Sequence, residues 1–285
     1  MTESQALALA GASALCFGTA LVAAKLGLRT LDARAGAAIS IPTATVLLLV
    51  TAPFALDISA FSLSAALLFA LVGIFFPALV TLFTFASNDR LGPSVTASVS
   101  STAPLFALAA ALVILGERIP IRALVATLAV VGGVVLLSWR SAVLVRRALW
   151  LPLTGAALRG LAQVLAKAGL ALWPNPFAAS LIGYGVSTLT VTVADRLARG
   201  ERPRYRRAAV LWFMATGLLN GGAVLLMYLA LSAARVSLVA PVVAAYPLVT
   251  LILGAALLRE ERLGGRAIGG ALLIVAGIAY LVSGS

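Results

Sequence analysis

Apolar residues gather along this chain into long runs, separated by short segments rich in charge, glycine or proline. A run of about 20 apolar residues matches the thickness of a bilayer core when helical. The runs predict ten spans, roughly 6–26, 35–53, 63–86, 94–115, 121–139, 149–171, 176–194, 208–231, 237–258 and 266–282. The second is the most dilute, because Pro42, Thr43 and Thr45 interrupt it, and a re-entrant segment is the alternative there. The linkers leave no room for a soluble domain. The expected fold class is an all-α polytopic membrane protein of ten transmembrane helices, arranged as two inverted five-helix repeats.

The repeat is visible in the letters. Gly18, Ala20, Val22, Ala24, Lys25, Gly27 and Leu28 fall on Gly160, Ala162, Val164, Ala166, Lys167, Gly169 and Leu170 at an offset of 142. Glu117-Arg118-Ile119-Pro120 falls on Glu261-Arg262-Leu263-Gly264 at an offset of 144, as do Gly133 on Gly277 and Gly73 on Gly217. Pro104 then sits one residue out of register with Pro247. These matches divide the chain into a first unit, 1–144, and a second, 145–285. Five helices is an odd number, so the second copy must run upside down relative to the first. Duplicated helical units in membranes are a usual build for transporters, with the substrate where the units meet.

Composition agrees and narrows the chemistry. The chain is 62% hydrophobic and only 11% charged, where soluble domains carry about 25% charged residues. There is no His and one Cys, so disulfides, His-dependent metal sites and His acid–base chemistry are not expected. Cys16 reads as a small packing residue, and no cofactor is expected. Only Glu3 carries charge ahead of the first run, which therefore reads as a retained span and not a signal peptide. Trp139, Trp150, Trp173 and Trp212 fall near predicted span ends, where tryptophan favours the interface.

Of the 21 Lys and Arg residues, 16 fall in odd-numbered loops, three (Arg118, Arg122, Arg235) in even ones, and two, Arg159 and Lys167, inside the sixth span. The positive-inside rule then places odd loops in the cytoplasm and both termini outside. The run from Arg202 to Arg207 reads as a lipid-anchoring juxtamembrane loop, with no domain around it to present nucleic acid.

The sixth span carries the sharpest functional signal. Arg159, Gln163 and Lys167 recur at every fourth residue, so they share one helix face. Arg159 lies deep in the span, and a cation there costs several kcal/mol without a polar cavity or partner. Lys167 lies nearer an interface, where it can snorkel. All nine acidic residues fall at or outside span ends, so the intramembrane carboxylate that proton-for-cation drug exporters need is missing. Arginine without a carboxylate points to an anionic or zwitterionic substrate. Ser94, Thr96, Ser98, Ser100, Ser101 and Thr102 open the fourth span before Pro104; its partner holds Ser237, Pro241, Tyr246 and Pro247. Such hydroxyls and proline-freed carbonyls serve either a substrate or interhelical packing. Asn220 and Tyr228 in the eighth span, and Tyr184 in the seventh, are weaker candidates. The expected substrate-binding set is Arg159, Gln163, Ser98, Ser101, Asn220, Tyr228 and Tyr246, with no catalytic or metal-binding residues. Gly132-Gly133 and Gly269-Gly270 read as packing contacts.

Three features give the chain a family likeness: Phe17-Gly18 followed by Lys25, the stretch from Pro104 to Gly116-Glu117-Arg118, and its second copy from Pro247 to Glu260-Glu261-Arg262. With ten helices in two inverted copies, the chain resembles the EamA branch of the drug/metabolite transporter superfamily over nearly its whole length. The family often has Trp where Phe17 stands, and its members are usually drawn with both termini in the cytoplasm, opposite to the charge count. The resemblance implies secondary transport of small metabolites, often export of amino acids and related compounds.

The expected function is alternating-access transport, as export, of a small polar anionic or zwitterionic metabolite. The cavity would be lined by helices 1, 3, 4, 6, 8 and 9, in a monomer or homodimer contacting membrane lipids of a bacterial inner membrane. A carrier or flippase for phosphorylated or lipid-linked substrates is the alternative. A membrane-embedded enzyme and a structural subunit are more distant ones. The charge bias predicts that a cytoplasm-dependent reporter fused at Ser285 stays dark while a periplasmic reporter there is active. The reverse result would place the termini inside.

Overall fold

The computed structural model describes residues 1–138, 149–197, 205–258 and 265–283. Trp139, Glu260, Glu261, Ser285 and eight of the arginines in the charge count (Arg140, Arg146, Arg147, Arg199, Arg202, Arg204, Arg259 and Arg262) lie outside the described residues, as does the expected 144/145 boundary.

Every regular element among the described residues is helical: α1 (Glu3–Leu28), α2 (Ala33–Ala55), α3 (Leu63–Phe75), α4 (Ala78–Ser100), α5 (Ala103–Ala110), α6 (Ile121–Ser138), α7 (Trp150–Leu172), α8 (Pro176–Leu197), α9 (Arg207–Ala233), α10 (Val236–Val243), α11 (Tyr246–Leu253) and α12 (Gly265–Val282). Short polar side chains start several of them. Thr2 and Gln5 form a reciprocal capping box on α1, and Asp32 accepts from the Ala35 amide to open α2. Asn175 accepts from the Ala178 amide to open α8, while its own side-chain amide donates to the Asp57 carbonyl. The loop after α2 is thereby tied to the loop after α7.

Six helical stretches are long and apolar enough to cross a membrane: Glu3–Leu28, Ala33–Ala55, Leu63–Pro93, Pro176–Leu197, Arg207–Ala233 and Val236–Leu257. Shorter apolar helices cover Ala103–Leu115, Ile121–Leu136 and Ile268–Val282. The helix α7 is as long as α2, but Arg159, Gln163 and Lys167 dilute it. Large apolar side chains on the outside, among them Phe54, Val113, Leu189 and Leu272, are 91%, 82%, 67% and 65% exposed. Water does not tolerate such a belt, and lipid does.

The breaks refine the sequence reading. The third expected span, 63–86, is interrupted at Phe76-Pro77 and then runs on to Leu91. Gly92, at φ +81°, turns the chain directly into the next segment, which Pro93 begins. That segment breaks again before α5, and α5 ends in a π-helical turn, Ala111–Leu115. The second copy repeats this: α10 corresponds to the segment 93–100, α11 (Tyr246–Leu253) to α5, and the π turn Gly254–Leu258 to Ala111–Leu115, all at an offset of 143. Pro104 and Pro247 are therefore in register, and the one-residue slip read from the sequence disappears.

Close approaches repeat in the same way. A Cβ on Gly18 would meet the Tyr246 carbonyl and the Val249 side chain; one on Gly160 would meet the Ala103 carbonyl and the Phe106 side chain. Tyr246 and Val249 match Ala103 and Phe106 at an offset of 143. The backbone of Gly217 lies so near Ser40 that a Cβ would overlap its carbonyl oxygen, and a Cβ on Gly73 would lie 2.7 Å from the Gly183 carbonyl oxygen in the equivalent place. Of the expected packing glycines, Gly133 lies against the Gly270 carbonyl and so brings α6 and α12 together, whereas Gly132 and Gly269 have looser surroundings; Gly277 adds a second close approach, to Ala129. Gly217→Ala is expected to destabilise the protein by about 1–3 kcal/mol through overpacking against the α2 backbone. Gly222→Ala, where a Cβ meets nothing within 4 Å, should stay within about 0.5 kcal/mol of the parent. Thermal unfolding of both variants in detergent checks the contrast.

Candidate substrate cavity

The α3–α4 break opens the middle of the bundle. The unpaired polar groups it creates are met by Ser187 of α8, whose hydroxyl donates to the Gly73 carbonyl and accepts from the Ala78 amide. With the break held in place, Phe76, Pro77, Val80, Thr81, Thr84 and Phe85 form one wall of a narrow cavity. Phe17, Ala20 and Leu21 of α1, Arg159 of α7, Tyr184 of α8, Asn220 and Val224 of α9, and Tyr246 at the start of α11 complete it.

Among the described residues, Arg159 is the one charged residue in this wall. Its guanidinium carbon lies 5.0 Å from the centre of the Phe17 ring and 5.8 Å from that of Tyr246. The side chain is only 9% exposed, and its Nε–H has no hydrogen-bond partner. Two aromatic faces offset part of the cost of burying the cation, by about 2 kcal/mol each at most when desolvated. No carboxylate among the described residues joins the wall. The Tyr184 hydroxyl, 1% exposed, also lacks a partner. The Tyr246 hydroxyl is used, donating to the Ala97 carbonyl at 3.3 Å.

The seven expected binding residues separate accordingly. Arg159, Asn220 and Tyr246 line the cavity. Gln163 is buried on α7 with its Oε1 unpartnered, outside the lining. Tyr228 is buried in α9 and Ser101 in the break before α5, and neither is in the wall. The Ser98 side chain lies outside the described residues. The hydroxyl run around it is largely spent on structure: Thr96 pairs with Ser87 at 2.9 Å, and Thr102 donates to the Val99 carbonyl. Tyr184, Phe17 and the whole wall at the α3–α4 break enter instead. Pro77 was the available signal for that wall, since a proline inside an apolar run frees backbone groups.

Lys167 leaves the Arg159 face for another task. Its ammonium donates to the carbonyls of Leu231 and Ala234, at 2.6 and 3.0 Å, at the end of α9. Lys25 donates to the Asn88 carbonyl at 3.2 Å near the end of the matching rod. Lys25 and Lys167 correspond at an offset of 142, Asn88 and Leu231 at 143. Both lysines therefore serve helix C-termini, where orphan carbonyls and the helix dipole favour a cation. Glu117 completes one of these ends. Gly116 closes the π turn at φ +63°, and the Val236 and Ser237 amides then donate to the two Glu117 carboxylate oxygens. The Lys and Gly-Glu elements that carry the family likeness are thus helix-end devices.

Compared with known families, the chain matches the EamA-like transporter family twice, over residues 4–139 and 146–283. The chain belongs to the EamA-like transporter family. It is therefore a two-repeat, integral membrane protein of the drug/metabolite transporter superfamily, and the resemblance read from Phe17-Gly18, Lys25 and the Glu117 segment holds. No curated protein matches it. A solved crystal structure shares the fold at a TM-score of 0.77 and 17% identity, covering 98% of this EamA-like chain and 96% of the other.

Lys167→Met should lower stability by about 1–3 kcal/mol, because two carbonyls lose their donor, and Lys25→Met by less, because one does. Thermal unfolding of the two variants reads this order. Loss of transport in Lys167→Met at an unchanged unfolding temperature would instead place this lysine on the substrate route.

Proposed function

We propose that this chain is a secondary transporter of ten membrane-crossing rods, built as two inverted five-helix units and working by alternating access. It exports small anionic or zwitterionic metabolites, such as amino acids or related carboxylates, across a bacterial inner membrane. In this reading the rods are α1, α2, α3 with the body of α4, the end of α4 with α5 and its π turn, α6, α7, α8, α9, α10–α11 with their π turn, and α12. The contact between Thr45 and Thr188, whose hydroxyl oxygens lie 2.7 Å apart, supports the inverted arrangement. They correspond at an offset of 143, and equivalent residues touch only next to the axis relating the two copies.

The observation that carries the substrate assignment is Arg159, a buried cation with an unpartnered N–H in a central cavity whose described wall holds no carboxylate. Membrane-buried arginine of this kind marks a substrate or ion path. The two halves rock about the cavity, and Arg159 holds the acidic group of the substrate through each half-cycle.

Arg159→Ala is expected to weaken substrate binding by about 30–150-fold, the loss of a charge-assisted bond worth about 2–3 kcal/mol. Arg159→Lys recovers only part, because an ammonium lacks the planar fork. Flux into proteoliposomes, with the unfolding temperature as control for folding, measures both. Normal flux in Arg159→Ala would reduce Arg159 to a structural residue.

A further inference from the structure

The cavity offers more than a cation. We propose that its preferred substrate is a monoanion with an apolar body, an aryl- or branched alkyl-substituted carboxylate lacking an ammonium group. This rests on the reading of Arg159 as the substrate's anchor and narrows it. Two hydrogen-bond donors in the wall have no partner, the Arg159 Nε–H and the Tyr184 O–H, and both side chains are more than nine-tenths buried. Both residues line the same cavity. An acceptor-only head suits both donors, and a carboxylate is such a head.

Among the described residues an ammonium finds no charged partner, only the neutral oxygens of Thr81, Thr84 and Asn220. No Asp or Glu among the described residues lines the cavity, and two of its aromatic faces, Phe17 and Tyr246, are already occupied by the guanidinium. A zwitterion would leave the loaded cavity with the full charge of Arg159, whereas a monoanion brings it to neutrality. In a poorly solvated interior that difference favours the monoanion. The rest of the wall sets the body of the ligand. Phe76, Val80, Phe85, Leu21 and Val224 present rings and branched aliphatic side chains, which reward apolar area and do not solvate a second charge.

The test is binding to the purified full chain in detergent, by thermal shift and calorimetric titration. Three probes share one skeleton: 3-phenylpropionate, phenylalanine and 3-phenylpropanamide. The acid is expected to bind at least about tenfold more tightly than the amino acid, and the neutral amide more weakly than either. Tyr184→Phe should cost the acid about tenfold and leave the amide unchanged, with the ligand-free unfolding temperature reporting that the variant is folded. Phenylalanine binding as tightly as the acid, or more so, overturns the monoanion assignment while leaving Arg159 as a carboxylate anchor. Equal binding of acid and amide, unaffected by Arg159→Ala, overturns that anchor as well. Absence of binding by the acid in the low-millimolar range, while short polar acids such as lactate bind, overturns the apolar body alone. Absence of binding by every acid overturns both.

Discussion

Inside a bilayer core, water is not there to satisfy a freed peptide group, and that constraint governs this molecule. The chain breaks its helices repeatedly, at Phe76-Pro77, at Gly92, before α5 and before α11. Several helix ends in the bundle have recruited a partner from another rod. Ser187 bridges the α3–α4 break, Lys25 and Lys167 reach helix-terminal carbonyls, and Glu117 receives the first amides of α10. Because these partners sit on other rods, each repair also fixes how two rods lie against one another. The breaks that open a cavity are also the joints that hold the bundle together.

Glycine sets the complementary limit. Where rods touch backbone to backbone, as at Gly18 with Tyr246 or Gly217 with Ser40, no side chain can intervene. Lipid provides little hydrophobic drive for helices to associate, so close contact and interhelical hydrogen bonds must supply it. The result is a rigid frame with little tolerance at the seams. Inside it sits a wall of largely aromatic and aliphatic side chains around the Arg159 cation. The frame's exactness is what lets a guanidinium rest between two rings without a carboxylate beside it.

Much of this was legible in the letters. Long apolar runs announced the rods, the 142–144 offsets announced the duplication, and the position of Arg159 in its run announced a buried cation. The rest depended on rotations and tilts that spacing does not encode. Gln163 and Lys167 share a face with Arg159 on an ideal helix, yet one is packed away and the other is drawn to the carbonyls ending α9. The hydroxyl run around Ser98 fitted either a binding surface or interhelical packing, and Thr96 and Thr102 are taken up by Ser87 and the Val99 carbonyl. Tyr184, a weaker candidate in the sequence, lines the cavity together with the wall at Pro77.

The stacking of Arg159 on Phe17 has a further meaning. The two residues occupy the same position in the two copies, at an offset of 142. Side chains near an axis of duplication meet their own counterparts, so whatever stands there faces itself. Two arginines at that spot would repel, and two phenylalanines would leave no charge. A homodimeric ancestor with identical subunits could never have placed one cation against one ring in this way. Only after the halves were fused into one chain could each position mutate alone. The pairing at the centre of the cavity is thus something that a symmetric assembly cannot possess, and it records the point where the two copies ceased to be interchangeable.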